Sequence, residues 1–470
     1  MDTYPQSILQ KLASIVGSAH LLTDQQAMSG YAIDWRGRYH GRPLAIALPK
    51  SQEEVAALVA CCYEHHIPIV PQGGNTSTCG GATPDETGQM LVLCMKRMNR
   101  ILSVDPVSDT MTVEAGVTLE SAQRAAKQHQ RLLPLALASS GSCQIGGNLS
   151  TNAGGTTTLR YGTMRNLVLG IEAVLPGGIC FNEKGALRKN TTGLDLKQLL
   201  IGAEGTLGII TCATLKLCYL PLSYATAMIG MATIEEAIGC LASLKNQFGD
   251  YISTCEIMSR SCLTLVKTYQ LDHAIPLDAN WLLLIELTHH TVQPLSEELT
   301  QWLSTQRLTE SIVACSTREQ HRLWQWRKNI PEAERQAGNL IKHDIALPIS
   351  NIPVFLASCQ QALQQALPTL SYIVFGHLGD GSLHFNVSDK KNLAPYEETI
   401  NRIVYEWVEV YQGTIAAEHG IGQLKVLWLE RYKNPVALAL MRQIKKLLDP
   451  EGLMNPHCLY ATPKSLPSIK

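Results

Sequence analysis

The sequence predicts an α+β protein of more than one domain, and three observations lead there. At 470 residues the chain is longer than one hydrophobic core usually organises. Over roughly the first 220 residues, strand-length apolar runs alternate with helical periodicity, and three loops rich in glycine and hydroxyl side chains sit among them. Around Leu217–Pro221 the character changes: strands and helices alternate, and Asp380-Gly381 between two apolar runs signals a hairpin, hence an antiparallel sheet.

Composition narrows the function classes. Apolar residues make up 45% and charged residues 17%, which describes a globular and not a disordered chain. A net charge of −1 leaves no basic field to hold nucleic acid. The 14 cysteines form no Cys-x-x-Cys pair, so neither a zinc ribbon nor an iron–sulfur cluster is expected, and reduced thiols in the cytoplasm are the simplest reading. The start lacks a basic region followed by an apolar core, so no signal peptide is expected, and no apolar run is long enough for a transmembrane segment.

The elements follow in order. Ile8, Leu9, Leu12, Ile15 and Val16 fall at helical spacing in a lead over residues 1–40. Asp34–Arg38 reads as a surface loop. Pro43–Pro49 is a strand, and Ser51-Gln52-Glu53-Glu54 opens a helix as a capping box. Ile67–Pro71 is a second strand and empties into Gln72–Gly81, where glycines let the backbone approach a ligand and successive N–H groups can form an anion nest. Strands at Met90–Cys94 and Thr110–Glu114 and a helix near Thr118–His129 lead to a second glycine run, Ser140–Gly155. A strand at Val168–Leu175 precedes a third, Leu200–Thr211. Three such loops imply a large phosphate-bearing ligand. None is a Gly-x-Gly-x-x-Gly or Walker loop, which disfavours NAD on a Rossmann domain and ATP on a P-loop. Beyond residue 222, strands are expected at Ala225–Ile229, Ser253–Met258, Trp281–Leu287 and Ile312–Cys315, with a helix near Ile234–Gln247. Arg327 lies in a Trp-rich helical stretch and Lys342 leads a strand; spacing alone gives neither more than a solvated surface role.

The hairpin Gly376–Asn386 carries chemistry. With Asp380-Gly381 as a two-residue turn, His377 faces His384, and residues opposite each other have Cβ atoms about 4.5–5.5 Å apart. Asn386 shares that face. Two imidazoles so placed can share a metal, and Glu418, in Ala416–Gly422, is the best third ligand, with His419 beside it as a base.

Together these motifs resemble one family. Pro71–Ser77, Ile145–Gly155, Gly202–Gly208, the histidine hairpin, Glu418–Gly422 and Asp449-Pro450 to Asn455-Pro456 are similar, in order, to the FAD-dependent D-2-hydroxyacid dehydrogenases of the vanillyl-alcohol oxidase superfamily. The resemblance implies a two-part FAD-binding domain over 1–218, a substrate and metal cap domain with an antiparallel sheet over 219–440, and a segment 441–470 that returns to the FAD domain. It implies FAD contacts at Pro71, Gly73, Gly74, Asn75, Thr76, Ser77, Ser142, Gly146, Gly147, Asn148, Ser150, Thr151, Asn152, Gly155, Glu204, Gly205, Ile209 and Asn455. No histidine stands in the first loop, so FAD is expected to be non-covalent.

The resemblance also assigns His377, His384 and Glu418 to a divalent metal, zinc in the first instance. It assigns Arg327, Lys342, Asn386 and His419 to the substrate, with His419 the catalytic base. Two cations suit a dicarboxylate such as D-2-hydroxyglutarate or D-malate. D-lactate, glycolate, or a flavin-bearing subunit of a larger electron-transfer complex are the alternatives. Pro331 departs from the hydroxyglutarate pattern, which has a substrate-binding threonine there. Ser382 and His457 depart from it too, away from the expected chemistry. An electron-transfer flavoprotein, quinone or cytochrome as acceptor, through which the chain could sit at a membrane surface, and a homodimer complete the expectations.

Overall fold

In the computed structural model the described residues are 6–269, 271, 277–306 and 310–460. Two compact units emerge. The first comprises 1–154, 163–219 and 418–470, and the second 155–162 and 220–417. The stretch 418–440, expected in the cap domain, therefore groups with the first unit. The hydrophobic change at Leu217–Pro221 marks one boundary, but nothing comparable in the sequence marks the other.

The first unit holds two main sheets. One has strands in the order Leu21–Leu22, Ala45–Ala47, Leu91–Cys94 and Ile69–Gln72, and its last three are parallel. Parallel neighbours need a crossover, and Gln52–Glu64 supplies one. The Ser51 hydroxyl accepts from the Glu54 amide at 3.3 Å, while the Glu54 carboxylate reaches back to the Lys50 amide at 2.8 Å, so the expected capping box forms one residue out of its usual frame. This helix buries Val55, Leu58, Val59, Cys61 and Cys62 against the sheet, beside Ile8, Leu12 and Val16 of the lead helix Gln6–Val16. The second sheet is antiparallel, in the order Ile101–Asp105, Thr110–Glu114, Ile209–Lys216, Val168–Leu175 and Ile179–Glu183. The C-terminal segment meets the first sheet, where Met454 bridges Ile69 in parallel and the Asn455 amide donates to the Ile69 carbonyl at 2.8 Å.

The second unit is built on a seven-stranded antiparallel sheet. Its order is Glu310–Val313, Ser223–Met231, Trp281–His289, Ile252–Ser259, Ser371–His377, Ser382–Ser388 and Leu340–Ala346. Its strands are apolar on both faces because helices cover both. Leu323, Trp326, Ile330 and Ala333 of the long helix Thr317–Ala337 pack with Met228, Met258, Leu284, Ile373 and Phe375 of one face. On the other face Phe355 of helix Ile352–Ala366 meets Phe385 edge to face, with ring centroids 5.6 Å apart. The expected α+β class, with an antiparallel sheet in the second half, is what the chain adopts.

Candidate active site

The glycine-rich loops of the first unit converge. Gly74 passes so close to the second loop that a Cβ there would sit 1.9 Å from the Ser142 carbonyl oxygen, a place only glycine fits. A Cβ on its neighbour Gly73 would stand 3.6 Å from both Gln144 Oε1 and the Gly147 Cα. The third loop is tied in by Asn455, whose Nδ2 donates to the Gly81 carbonyl at 2.9 Å and the Glu204 carbonyl at 2.7 Å. The Glu204 carboxylate accepts from the Ile421 and Gly422 amides at 2.8 and 2.7 Å. Burial pushes that carboxyl above its ordinary range, and the two amides pull it partly back.

The remaining loop residues hold the loops to themselves. The Ser150 hydroxyl donates to the Gly146 carbonyl at 2.8 Å, Thr151 to that of Gly147 at 3.1 Å, and Asn152 Oδ1 accepts from the Arg165 amide at 2.9 Å. Asn75, Asn152, Glu204 and Asn455 all take positive φ. Ile209 opens its strand. Gly155 opens the short segment that groups with the second unit, where its amide donates to the Thr158 hydroxyl at 2.9 Å.

These loops fit a dinucleotide. Asn75 Oδ1 and Gln144 Oε1 are buried and lack a hydrogen-bond partner among the described residues. Buried acceptors are rarely left so unless a ligand or water supplies the donor. Glycines line up beside them, with room for backbone to approach a polar group. Residues of all three loops could hold FAD, whereas the Glu204 and Asn455 side chains are committed to bracing the loops.

In the second unit one face of the sheet gathers the chemistry. Strand pairing places Glu256, His377, Phe375, His384, Asn386, Asp344 and Lys342 on a common face. The long helix covers it. Ser316 caps that helix, accepting from the Glu319 amide at 3.2 Å, and Gly338 at φ +75° ends it. Its buried stripe runs Leu323, Trp326, Arg327, Ile330, Ala333 and Glu334. Arg327 and Glu334 are thus two turns apart on the side that meets the sheet, separated by roughly 10 Å along the axis.

Each charged group on the stripe meets a partner. Arg327 Nε donates to Glu256 Oε2 at 2.7 Å, and the guanidinium lies over the Phe375 ring at 4.7 Å. The other oxygen of Glu256 contacts His377 Nδ1. Burial would raise the Glu256 carboxyl, but the His377 and Arg327 charges outweigh it and hold the group below its ordinary range. Lys342 Nζ donates to Glu334 Oε2 at 2.9 Å, and Asn386 Nδ2 donates to Glu334 Oε1 at 2.6 Å. Asn386 Oδ1 accepts from the His343 amide at 3.1 Å, which fixes its orientation. His384 packs on Phe375 at 4.7 Å between ring centroids, 6.4 Å from the His377 ring, with Nδ1 3.9 Å from Asp344 Oδ1.

The hairpin register differs from expectation. His377 pairs with Ser382, and His384 pairs with Phe375, so the turn is four residues, Leu378–Gly381. A two-residue turn of the expected type needs positive φ at both central positions. Here Gly381 takes φ +86°, whereas Asp380 is not among the positive-φ residues; its carboxylate instead accepts from the Ser382 amide at 3.0 Å. The shift is two residues, an even number, so the histidines stay on one face as diagonal neighbours and not as an opposed pair. The His384 ring and the Asp344 carboxylate beside it are donors of the kind zinc or a similar divalent ion takes, whereas His377 Nδ1 is held by Glu256. Glu418 and His419 open the last segment of the first unit.

Sequence reasoning missed Glu256, Glu334 and Asp344. A signal existed for Glu334 and Arg327, since both fall in phase with Leu323, Trp326 and Ile330 on the apolar stripe. A charge in that phase is buried and therefore paired.

Comparison with known proteins matches this geometry to a family. Residues 220–459 match the family model described as FAD linked oxidases, C-terminal domain, and residues 43–182 match FAD binding domain. The chain is 32% identical over 461 residues to a D-2-hydroxyglutarate–pyruvate transhydrogenase of Saccharomyces cerevisiae, covering 94% of this chain and 92% of the relative. It is 35% identical over 450 residues to a mitochondrial D-2-hydroxyglutarate dehydrogenase of Bos taurus, covering 94% and 81%. Among solved structures, substrate-bound p-cresol methylhydroxylase shares the fold with a TM-score of 0.77 at 17% identity, over 97% of this chain and 96% of that one. The loops that fit a dinucleotide and the histidine-bearing sheet face thus have a common explanation: the chain belongs to the FAD-dependent D-2-hydroxyacid dehydrogenases.

Proposed function

We propose that the oxidation of a D-2-hydroxy acid to its 2-oxo acid is metal-assisted in this chain, with His377, His384 and Glu418 as ligands and His419 as general base. The observation that carries the reading is the shared sheet face, on which the expected residues of the second unit lie together, with Arg327 from the covering helix held to Glu256 beside them. Glu418 and His419 are assigned on the resemblance. When bound, FAD supplies a two-electron acceptor for the substrate's Cα hydride. A divalent ion, when bound, supplies a Lewis acid that makes the 2-hydroxyl more acidic.

The chain's own groups do the rest. Arg327 uses Nε for Glu256, which leaves the other N–H donors of its fork to take a carboxylate. Glu256 holds both that guanidinium and the His377 ring, so two groups that must act together are fixed by one carboxylate. His419 takes the hydroxyl proton. Counted as free cations, Arg327 and Lys342 favour a dicarboxylate such as D-2-hydroxyglutarate or D-malate. Their ion pairs favour the single-carboxylate alternatives, D-lactate and glycolate. An intact set of these side chains argues against a subunit that serves only as a flavin-bearing scaffold.

The electron acceptor (a carrier flavoprotein, a quinone or a cytochrome), a cytoplasmic location and a dimeric state remain part of this proposal. Among the described residues no helix is long and apolar enough to cross a membrane.

The test is dye-linked dehydrogenase activity of the yellow, metal-loaded protein on D-2-hydroxyglutarate, D-malate, D-lactate and glycolate, with and without EDTA. Activity abolished by chelation and restored by zinc, with flavin absorbance unchanged, is the expected result. Full activity in protein shown by metal analysis to be stripped would remove the metal from the mechanism.

A further inference from the structure

The second basic position in the site, Lys342, is not available as a free cation. Lys342 Nζ and Asn386 Nδ2 donate to the two oxygens of one carboxylate, that of Glu334, at 2.9 and 2.6 Å. This is the pattern in which a cation and an amide grip a substrate carboxylate, but the carboxylate belongs to the protein. Its side chain is 2% exposed, so water does little to weaken the pair. The amide of Asn386 cannot turn away, because its Oδ1 takes the His343 amide.

We infer that Glu334 occupies the place of a second substrate carboxylate and makes this enzyme selective for 2-hydroxy acids with one carboxylate and an uncharged tail. The inference rests on the dehydrogenase reading above and names the substrate class of that same site.

Charge bookkeeping on the sheet face points the same way. Arg327 and Lys342 bring two positive charges, and Glu256, Glu334 and Asp344 bring three carboxylates. One substrate carboxylate is met by the remaining N–H donors of the Arg327 fork. A second would meet Glu334 in a buried setting, where an unpaired like charge is strongly disfavoured. Glu334 is two turns beyond Arg327 on the buried stripe of the same helix, so the Arg327 fork and the Lys342–Asn386 pair held by Glu334 meet the same side of the sheet.

The experiment compares kcat/KM for D-2-hydroxyglutarate with that for D-2-hydroxybutyrate, a monoacid one carbon shorter with an uncharged tail. It uses the FAD- and metal-loaded wild type, Glu334→Gln and Glu334→Ala. Titrations of the oxidised holoenzymes with 2-oxoglutarate and 2-oxobutyrate, followed by flavin absorbance, give a binding readout that does not depend on turnover. The wild type is expected to favour the monoacid. Each variant is expected to shift the preference toward the diacid by about tenfold or more, the worth of one charge-assisted hydrogen bond. The 2-oxoglutarate titration should tighten in parallel.

A wild type that favours the diacid overturns the inference without any variant, and leaves the dehydrogenase reading standing. An unchanged preference in both folded variants overturns it too. A wild type that oxidises neither acid, nor any other 2-hydroxy acid, defeats the dehydrogenase reading, and this inference falls with it.

Discussion

Glu286 shows how a single residue of this sheet face sets a pH response. Its carboxylate is partly buried, accepting from Trp324 Nε1 at 2.9 Å and from the Ser253 hydroxyl at 3.3 Å. Burial pushes its pKa above the ordinary value, and those two hydrogen bonds only partly oppose it. A raised carboxylate disfavours folding where it is ionised in both states, and the penalty fades as pH falls through the folded-state value toward the unfolded one. Glu286→Gln keeps an acceptor for Trp324 and removes the charge. The variant is therefore expected to melt above the wild type at pH about 8, with the gain shrinking toward pH about 4. Scanning calorimetry across that range checks it, and a gain independent of pH would show that charge is not the cause. Glu256, in the same sheet, behaves oppositely, because two basic partners more than offset its burial.

At the scale of elements, the hairpin and the glycine loops obey different constraints. The hairpin tolerates a longer turn than its sequence suggests because strand periodicity is two, so a shift by two residues leaves every side chain on its face. The loops tolerate almost nothing. At Gly74 a methyl group would enter the Ser142 carbonyl and force the first and second loops apart. Gly74→Ala is expected to lower stability by about 1–3 kcal/mol, the usual range for overpacking, and to weaken flavin retention. Denaturant unfolding and the flavin-to-protein absorbance ratio measure both. A variant with wild-type values of each would mean that the close approach is not required.

At the scale of the whole molecule, each unit makes its own contribution. The first holds the loops that suit FAD, and no histidine stands in Gln72–Gly81 to tether it. Acid precipitation of the yellow protein is expected to release the flavin into the supernatant, and colour left in the washed pellet would indicate a covalent bond. The second unit supplies a sheet stiffened on both faces by helices. That stiffness holds charged side chains in an otherwise apolar layer, the arrangement that makes each ion pair there consequential.

The sequence by itself determined the fold class, most strand and helix positions, the three glycine-rich loops and the family, because periodicity, caps and glycine-rich runs are local and survive in one dimension. It also named His377, His384, Arg327, Lys342 and Asn386, although Arg327 and Lys342 earned their place only through the resemblance. Tertiary structure decided the hairpin register, through an aspartate that bonds Ser382 instead of entering a left-handed turn. It alone decided the partners. Glu256 is 71 residues from Arg327 and 121 from His377, and Glu334 is 52 from Asn386. Such pairings follow from strand order and helix phase together, and no spacing along the chain reports whether a cation faces water, a substrate or a carboxylate of its own protein.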